Sequence, residues 1–354
     1  MILTTQRTLW DITSIQKLGG DLYTVFSPFY RKGCASKPKP KDCLPKPTTF
    51  SALSSLPESI DLDACIKISE HPWMKTVVAD WDISEKGAQS HWENFLKNGL
   101  HGYKKGRNFP QKPFVSQVSP YIHFGQLSIR QLYWDVMTQG KGADRDHFIS
   151  ELAWREFAYY LLFHFPHMQD ANFRKEFDAF PWLMESPLLK AWCMGQTGYP
   201  MVDAGMRQLY QTGYMHNRLR MLCASFLTKN LMIHWKKGEE WFWNCLFDAD
   251  HATNPISWQW SSGSGTDGAS YFRIFNPKLQ LEKFDASGKF VKQYVPELSK
   301  VPIDYLAEPW TLTKDQQESY SVIIGKDYPS PIVDYEATRS NAADEFEQLR
   351  RNHE

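Results

Sequence analysis

Apolar positions recur at helical spacing through the middle of the chain. In the segment 213–235 they fall three or four residues apart, at Leu219, Leu222, Cys223, Phe226 and Leu227. This period predicts an amphipathic helix with one side against a hydrophobic core. A different face of the same helix carries an amide, a guanidinium and a thioether, at Asn217, Arg220, Met221 and Ala224. We expect this second face to meet a ligand; an ordinary ion pair in the core is the alternative.

Arg220 requires a partner if its helix face is half-buried, because a buried unpaired charge is costly. The DAD turn at 248–250 supplies two carboxylates, Asp248 and Asp250. The sequence therefore predicts an ion pair between Arg220 and one of these two aspartates.

A second amphipathic helix is predicted over 146–166, DHFISELAWREFAYYLLFHFP. One of its faces carries Glu151, Trp154, Arg155 and Ala158. A carboxylate, an indole and a guanidinium on one face again suit a ligand, whereas Trp154 taken alone also suits plain core packing. A third helical pattern covers 83–100, with one apolar face formed by Ala88, Trp92, Phe95 and Leu96.

The N-terminal pattern is not helical throughout. Residues 1–30 predict a short helix followed by a strand, because an apolar run lies between Gly20 and Pro28, at Leu22, Tyr23, Val25 and Phe26. Prolines at 38, 40, 45, 47 and 57 then predict an extended connector. We accordingly divide the chain into an N-terminal part at 1–30, a Pro-rich linker at 31–82 and a helical domain at 83–354.

Composition narrows the functional classes. The chain has 354 residues, of which 42% are hydrophobic and 15% aromatic, and this can support a large core around a flat cofactor or flat bases. The formal net charge is zero, so any nucleic-acid site must be a local basic surface. The six cysteines show no CxxC pair, which indicates neither a metal site nor a disulfide framework. With no export signal and no long apolar run, we expect a cytoplasmic or nucleoid-associated protein without a membrane partner.

The dipeptide Ser119-Pro120 predicts a helix start, with Ser119 as the N-cap and Pro120 at the first helical position. Backbone N–H groups at such a start can bind an anion. Alone, this is a weak signal.

Several longer motifs carry a family resemblance. The runs VDAGMRQLYQTGYMHNRLRM (202–221), WFWNCLFDADHATN (241–254), SWQW (257–260) and YFRIFNP (271–277) resemble the flavin-domain signature of the cryptochrome/DNA photolyase family, and ELAWREF (151–157) matches another of its motifs. The resemblance covers roughly residues 85–310. It implies a mostly α fold, an all-helical FAD-binding domain preceded by a remnant of an α/β domain and a Pro-rich connector. Most of that α/β domain is missing, which makes an antenna chromophore doubtful unless a separate chain supplies the rest.

The resemblance also assigns residues to roles. It places FAD against Tyr103, Val115, Ser116, Gln117, Val118, Ser119, Phe148, Glu151, Asn217, Arg220, Asp248, Ala249, Asp250 and Asn254, with Val115 replacing the usual Thr. The catalytic positions it implies are Glu151, Trp154, Asn217, Met221, Asn254 and Trp260. DNA contacts would come from Arg107, Glu151, Trp154, Arg155, Asn217, Arg218, Arg273 and Gln280. A chain of tryptophans for electron transfer would run from Trp182 through Trp235 to Trp258.

The function that the resemblance implies is light-driven repair of UV-damaged DNA by a monomeric protein. Reduced FAD would donate an electron, under blue light, to a cyclobutane pyrimidine dimer flipped out of the helix. Enzymes that repair (6-4) photoproducts carry histidines at the positions of Asn217 and Met221, so a cyclobutane-dimer photolyase of class I or class III is the better match. A FAD-binding sensory cryptochrome without repair activity and a non-functional fragment are the alternatives.

Overall fold

The computed structural model describes residues 7–45, 48–49, 76–266 and 272–353. Within these ranges the chain is mostly helical and forms no β-strand. None of its helices there is long and apolar enough to cross a lipid bilayer. The α-helices are α1 (Phe26–Pro28), α2 (Glu85–Asn98), α3 (Tyr103–Gly106), α4 (Ser119–His123), α5 (Ile129–Thr138), α6 (Ala143–His164), α7 (Leu188–Cys193), α8 (Pro200–Thr212), α9 (Asn217–Ser225), α10 (Trp235–Cys245), α11 (Thr253–Ser262), α12 (Pro277–Phe284), α13 (Lys289–Tyr294), α14 (Ile303–Leu306), α15 (Lys314–Ser319) and α16 (Tyr335–Arg351).

Tighter and wider helical turns join these elements. Two π-helical segments follow α1 and α9, at Phe29–Gly33 and Phe226–Asn230. Short 3₁₀ turns lie at Ile12–Ser14, Cys34–Ser36, Pro166–Gln169, Lys175–Ala179, Pro296–Leu298 and Pro309–Thr311.

Two main hydrophobic cores organise the molecule. One contains side chains from residues 9–34 together with α2, α5 and α6, and the other is formed by residues 192–328, including α8, α9, α10 and α13. The predicted apolar stripe of α9 and the π segment after it lies in this second core, and its five members are fully buried. The predicted apolar face of α2 is also confirmed, since Ala88, Trp92 and Phe95 are buried.

The N-terminal prediction of a strand is wrong. Residues 21–24 form no strand, and a continuous helical run follows from Phe26 to Ser36. The apolar run at 22–26 contacts α6 instead of a neighbouring strand. The backbone N–H of Tyr23 donates a hydrogen bond to the hydroxyl of Tyr160, at 3.0 Å. The helical run crosses the predicted boundary at residue 30. Part of the predicted linker at 31–82 lies outside the described residues, including Pro47, Pro57 and Cys65.

Candidate active site

A cavity of about 540 Å³ lies between the two cores. Its wall is built from α3, the loop at 115–119, α6, α9, the DAD turn and α11. The wall includes most of the residues that the sequence singled out: Tyr103, Arg107, Val115, Ser116, Gln117, Val118, Ser119, Phe148, Glu151, Trp154, Arg155, Asn217, Arg220, Met221, Asp248, Ala249, Asp250, Asn254, Trp258 and Trp260. Five others do not line it, namely Trp182, Arg218, Trp235, Arg273 and Gln280.

The predicted partner of Arg220 is Asp248. The guanidinium of Arg220 donates two hydrogen bonds to its carboxylate, at 3.0 and 2.8 Å, and a third to the backbone oxygen of Met215 at 2.8 Å. Burial alone would lower the pKa of Arg220, but the charge and hydrogen bonds of Asp248 outweigh it and the pKa is raised. Arg220 is therefore held in its charged form on the cavity wall.

Ser119 binds the same carboxylate and is not an N-cap. Its hydroxyl donates to Asp248 at 2.5 Å, and α4 begins at Ser119 itself without a side-chain cap. Because Asp248 follows 129 residues later, this hydrogen bond could not be recognised from the local pattern. Asp250 instead accepts hydrogen bonds from the backbone N–H groups of Ala252 and Thr253, at 2.8 and 2.7 Å, and so fixes the start of α11.

α11 sets one buried amide into the wall. The Nδ2 of Asn254 donates to the carboxylate of Glu239 at 2.9 Å and to its backbone oxygen at 3.1 Å. Both residues are almost fully buried. These bonds fix the orientation of the Asn254 side chain at the cavity.

Glu151 on α6 is clamped by Arg107. The two side chains form a bidentate ion pair, with N–O distances of 2.5 and 2.9 Å. His147, one turn earlier, lies 3.0 Å from the Arg107 guanidinium and has its pKa lowered, chiefly by burial. Glu151 keeps about a quarter of its side chain exposed, so it can contact a molecule that enters the cavity.

A group of guanidinium charges lies beside the cavity. Burial lowers the pKa of Arg218, and the nearby positive charges of Arg107 and Arg273 lower it further. Arg218 lies over the ring of Phe284, 4.2 Å from its centroid. The side-chain oxygen of Gln280 on α12 is buried and has no hydrogen-bond partner among the described residues. Arg218 therefore lies close to two further guanidinium groups, of which Arg107 is paired with Glu151.

The tryptophans predicted for electron transfer differ in burial. Trp258 is buried at the cavity, 4.9 Å from the ring of Phe242. Trp235 is fully buried away from the cavity wall, and its indole N–H donates to Asn172 at 2.8 Å. Trp182 is partly exposed, and the ring of His234 lies 5.6 Å from Trp182 and 5.3 Å from Trp235.

Sequence reasoning missed several wall residues. Among them are Ile122, His123, Leu152, Phe157, Tyr214, Met215, His216, Phe242, Leu246, Thr253, Ile256, Ser257, Ser261 and Thr266. His216 precedes α9, and its ring nitrogen accepts from the backbone N–H of Arg218 at 3.1 Å, so its position directly before the helix was the available signal. Burial lowers the pKa of His216 to about 3, which keeps the ring neutral. Thr266 gave no signal, and its hydroxyl is buried without a hydrogen-bond partner among the described residues.

Both the sequence and the fold match proteins that are already known. A family model described as the FAD binding domain of DNA photolyase matches residues 148–348. The chain is 42% identical over 342 residues to the deoxyribodipyrimidine photo-lyase of Agrobacterium fabrum, a match that covers 94% of this chain and 70% of that protein. A crystal structure of a bacterial class III photolyase from Agrobacterium tumefaciens superposes with a TM-score of 0.92 and 40% identity, covering 98% of this chain and 72% of that one. A cryptochrome structure from Synechocystis sp. gives a TM-score of 0.79 and 30% identity, over 96% and 71% of the two chains.

Proposed function

The chain belongs to the cryptochrome/DNA photolyase family, and from that premise we propose that it is a deoxyribodipyrimidine photolyase that binds FAD and repairs cyclobutane pyrimidine dimers in DNA. The observation that carries this proposal is the shared cavity. One wall of it holds the ion-paired Arg220 and Asp248, and another holds Glu151 and Trp154 on α6. A cofactor and a damaged base can therefore meet in one enclosed space.

The wall fits FAD. Its donors and acceptors are the ones a flavin nucleotide requires, including a charged pair, hydroxyls and a buried amide, and the hydroxyl of Thr266 is left without a partner among the described residues. A buried hydroxyl of this kind costs free energy unless a ligand completes its hydrogen bonding. We assign the backbone and hydroxyls of 115–119 to the phosphates, with Arg220, Asp248 and Asn254 against the ring system.

When bound in its reduced form, FAD supplies the light-driven electron that splits the cyclobutane ring. The protein's part is to hold and orient. Asn254 is fixed by Glu239, so its amide presents one constant face to the cavity. Asn217 and Met221 carry no acidic proton on the wall, which suits a cyclobutane dimer, whose splitting does not require a general acid.

The damaged bases are bound by residues of α6 and α11. Arg107 holds the carboxylate of Glu151 in one orientation. The Glu151 side chain therefore loses little conformational entropy when its oxygens accept hydrogen bonds from base N–H groups. Trp154 and Trp260 add flat apolar surfaces, and stacking on such a ring is worth about 1–3 kcal/mol per base. A dimer disrupts base stacking, so flipping it into the cavity costs less than flipping a normal pair.

The duplex is held by polar and charged groups at and beside the cavity. We assign Arg155 on the wall, and Arg218, Arg273 and Gln280 beside it, to DNA, where guanidinium groups contact phosphates without reading sequence. A local cluster of this kind explains how a chain with zero formal net charge can bind DNA. We assign the chain to the monomeric state in this complex.

The test is repair of an irradiated oligonucleotide by the purified protein, in light and in darkness, after chemical reduction of the bound flavin. We expect dimers to disappear only in the light. Bound flavin with no light-dependent loss of dimers would contradict repair and leave a sensory cryptochrome as the function. Protein that retains no flavin would contradict both.

A further inference from the structure

The N-terminal segment contributes an aromatic ring to the site. Phe26 of α1 lies face to face with Trp154 of α6, with ring centroids 3.7 Å apart and planes inclined by 11°. Tyr30, one turn later, stacks behind Phe26 at 5.8 Å with an inclination of 16°. The three rings form a column, defined here as Tyr30–Phe26–Trp154, that crosses from the N-terminal segment to α6.

Only the last ring of this column reaches the cavity. Trp154 lines the cavity wall, whereas Phe26 and Tyr30 do not. Phe157 closes the column from the side, with its ring edge-on to Phe26 at 6.0 Å and to Trp154 at 6.1 Å. The Phe26 ring therefore covers Trp154 from outside the cavity, and the surface of the indole that remains faces the space within.

The backbone that carries Phe26 is tied to the same helix as Trp154. The hydroxyl of Tyr160 accepts a hydrogen bond from the backbone N–H of Tyr23 at 3.0 Å. The side chain of Glu156 accepts one from the backbone N–H of Leu9 at 2.8 Å. Both acceptors lie within two turns of Trp154 on α6. Two buried hydrogen bonds thus hold the segment that precedes Phe26 against α6.

We propose that Phe26 is a positioning residue for the damaged base. It fixes the plane of the Trp154 indole, so that a flipped pyrimidine adds to the column as its next ring. This inference rests on the proposed function and deepens it, because it assigns part of substrate recognition to the N-terminal segment. A ring already held by a neighbour loses less freedom when a base stacks on it, so the stack forms at lower cost.

The experiment uses an oligonucleotide with one cyclobutane dimer and measures its Kd in darkness and its repair rate at saturating DNA in light. Phe26→Leu keeps an apolar side chain but removes the stacking face. We expect Kd to rise roughly two- to tenfold, the range that an aromatic pair contributes. The saturated repair rate should stay unchanged. Phe26→Tyr restores a ring and should return Kd to the wild-type value.

Tyr23→Leu is the matched control. Tyr23 is buried in the same segment, and its ring packs on Phe29 at 6.3 Å rather than on a residue of the cavity wall. This variant loosens the segment to a similar degree and should keep the wild-type Kd. In a Trp154→Ala background, Phe26→Leu should cause no further rise, because its effect passes through the indole.

Three outcomes would overturn the inference while the wild type still repairs DNA: an unchanged Kd in Phe26→Leu, an equal rise in Tyr23→Leu, or full additivity with Trp154→Ala. If the wild type repairs no dimers, the proposed function fails instead. The two failures are therefore distinguished by the wild-type measurement.

Discussion

At the scale of single residues, one ion pair, between Arg220 and Asp248, is central to the cavity wall. Arg220 and Asp248 lie on one wall of the cavity, and the two hydrogen bonds between them join α9 to the DAD turn. Arg220→Gln should lower the free energy of unfolding by about 3 kcal/mol, because it leaves the Asp248 carboxylate buried with only Ser119 as a partner. Flavin should also be lost during purification. Chemical denaturation and the flavin absorbance per protein measure the two effects.

An exposed ion pair provides the comparison for Arg220→Gln. Lys237 lies 3.9 Å from Glu240 on the outer side of α10. Lys237→Gln should change stability by less than about 0.5 kcal/mol, since exposed pairs contribute little. Equal losses in the two variants, or a stable Arg220→Gln that retains its flavin, would contradict the buried role of the pair.

Trp258 offers a residue-scale test of the electron path. Trp258→Phe keeps an aromatic ring against Phe242, so the fold and flavin content should be nearly unchanged. Light-driven reduction of the oxidised flavin by an external reductant should fail, because phenylalanine is much harder to oxidise than tryptophan. Repair after chemical reduction should persist. Visible absorbance during illumination gives the first result and dimer loss gives the second.

Trp192→Phe controls for the aromatic packing around Trp258. Trp192 is fully buried and its ring lies 6.1 Å from that of Trp258, but it lies outside the cavity wall. Its variant should keep photoreduction. Normal photoreduction in Trp258→Phe would remove this residue from the path, and loss of repair with reduced flavin bound would place Trp258 in the substrate pocket.

Sequence predicted single residues of the cavity wall correctly where helical periodicity defined a helix face, or where an acidic turn offered a partner for a charged side chain. The faces of α6 and α9 followed from their spacing, and the carboxylate for Arg220 was sought in the nearest acidic turn. The N-cap prediction for Ser119 was wrong because α4 begins at Ser119 itself, one residue earlier than expected. The neutral state of His216 also depends on burial, which its local sequence does not encode.

At the scale of elements, α9 and the π segment after it hold the chain at 272–276. The hydroxyl of Ser225 accepts from the backbone N–H of Phe275 at 3.1 Å, and the ammonium of Lys229 donates to the backbone oxygen of Arg273. Ser225 and Lys229 lie one helical turn apart, and their partners Phe275 and Arg273 lie two residues apart in the segment 272–276. Their spacing therefore fixes the segment from which Arg273 projects.

Lys229 holds that segment at a measurable cost. Its ammonium is buried, lies 4.7 Å above the ring of Phe272 and has no carboxylate within ion-pair distance among the described residues. Burial, with a smaller effect of Arg273, lowers the pKa of Lys229 from 10.5 to about 7. Between these two values the unfolded chain binds more protons than the folded one, so stability should rise with pH.

The prediction for this element is that Lys229→Met removes the rise in stability between pH 7 and about 10.5. The same variant should weaken binding of dimer-containing DNA two- to tenfold, because Arg273 is no longer held in place. Denaturation at a series of pH values tests the first effect, and Kd in darkness tests the second. A pH slope equal to that of the wild type would show that Lys229 is not buried as described.

Element prediction from sequence failed at one place for a physical reason. The run at 22–26 has the composition of a strand, but a lone extended segment needs a partner for its backbone. Here the partner of the Tyr23 backbone N–H is a side chain, the hydroxyl of Tyr160, and the ring of Phe26 packs on α6. Only the three-dimensional position of α6 distinguishes this arrangement from a sheet edge.

At the scale of the whole molecule, the cavity exists because two separate cores meet along α6, α9 and α11. Close packing brings α10 against this wall, since a Cβ at Gly238 would lie 2.1 Å from the ring of Trp258. The sequence predicted a helical protein with a ligand surface, and it identified many wall residues. The sequence could not predict which buried side chains would have a pKa shifted by burial.

Glu156 is the clearest of these groups. It is fully buried on α6, and its side-chain Oε2 accepts from the backbone N–H groups of Leu9 and Trp10 at 2.8 and 3.4 Å. Burial raises the pKa of Glu156 from 4.5 to about 8, although the charges of Arg155 and Arg130 and these two hydrogen bonds oppose the rise. Burial, with a smaller effect of Glu156, raises the pKa of the Cys34 thiol.

The sign of the pH effect follows from the raised pKa. Between pH 4.5 and 8 the folded chain binds more protons at Glu156 than the unfolded chain, so this residue should make stability fall as pH rises, by on the order of 4 kcal/mol. Glu156→Gln keeps an oxygen for the N–H of Leu9 but cannot ionise. It should therefore abolish this fall and stabilise the protein most at pH 8. Glu93→Gln, at an exposed position of α2, should leave the pH profile unchanged. Chemical denaturation between pH 5 and 8 measures both profiles, and parallel curves for the wild type and Glu156→Gln would show that Glu156 is ionised in the folded protein, with the N-terminal segment held to α6 by a charged carboxylate.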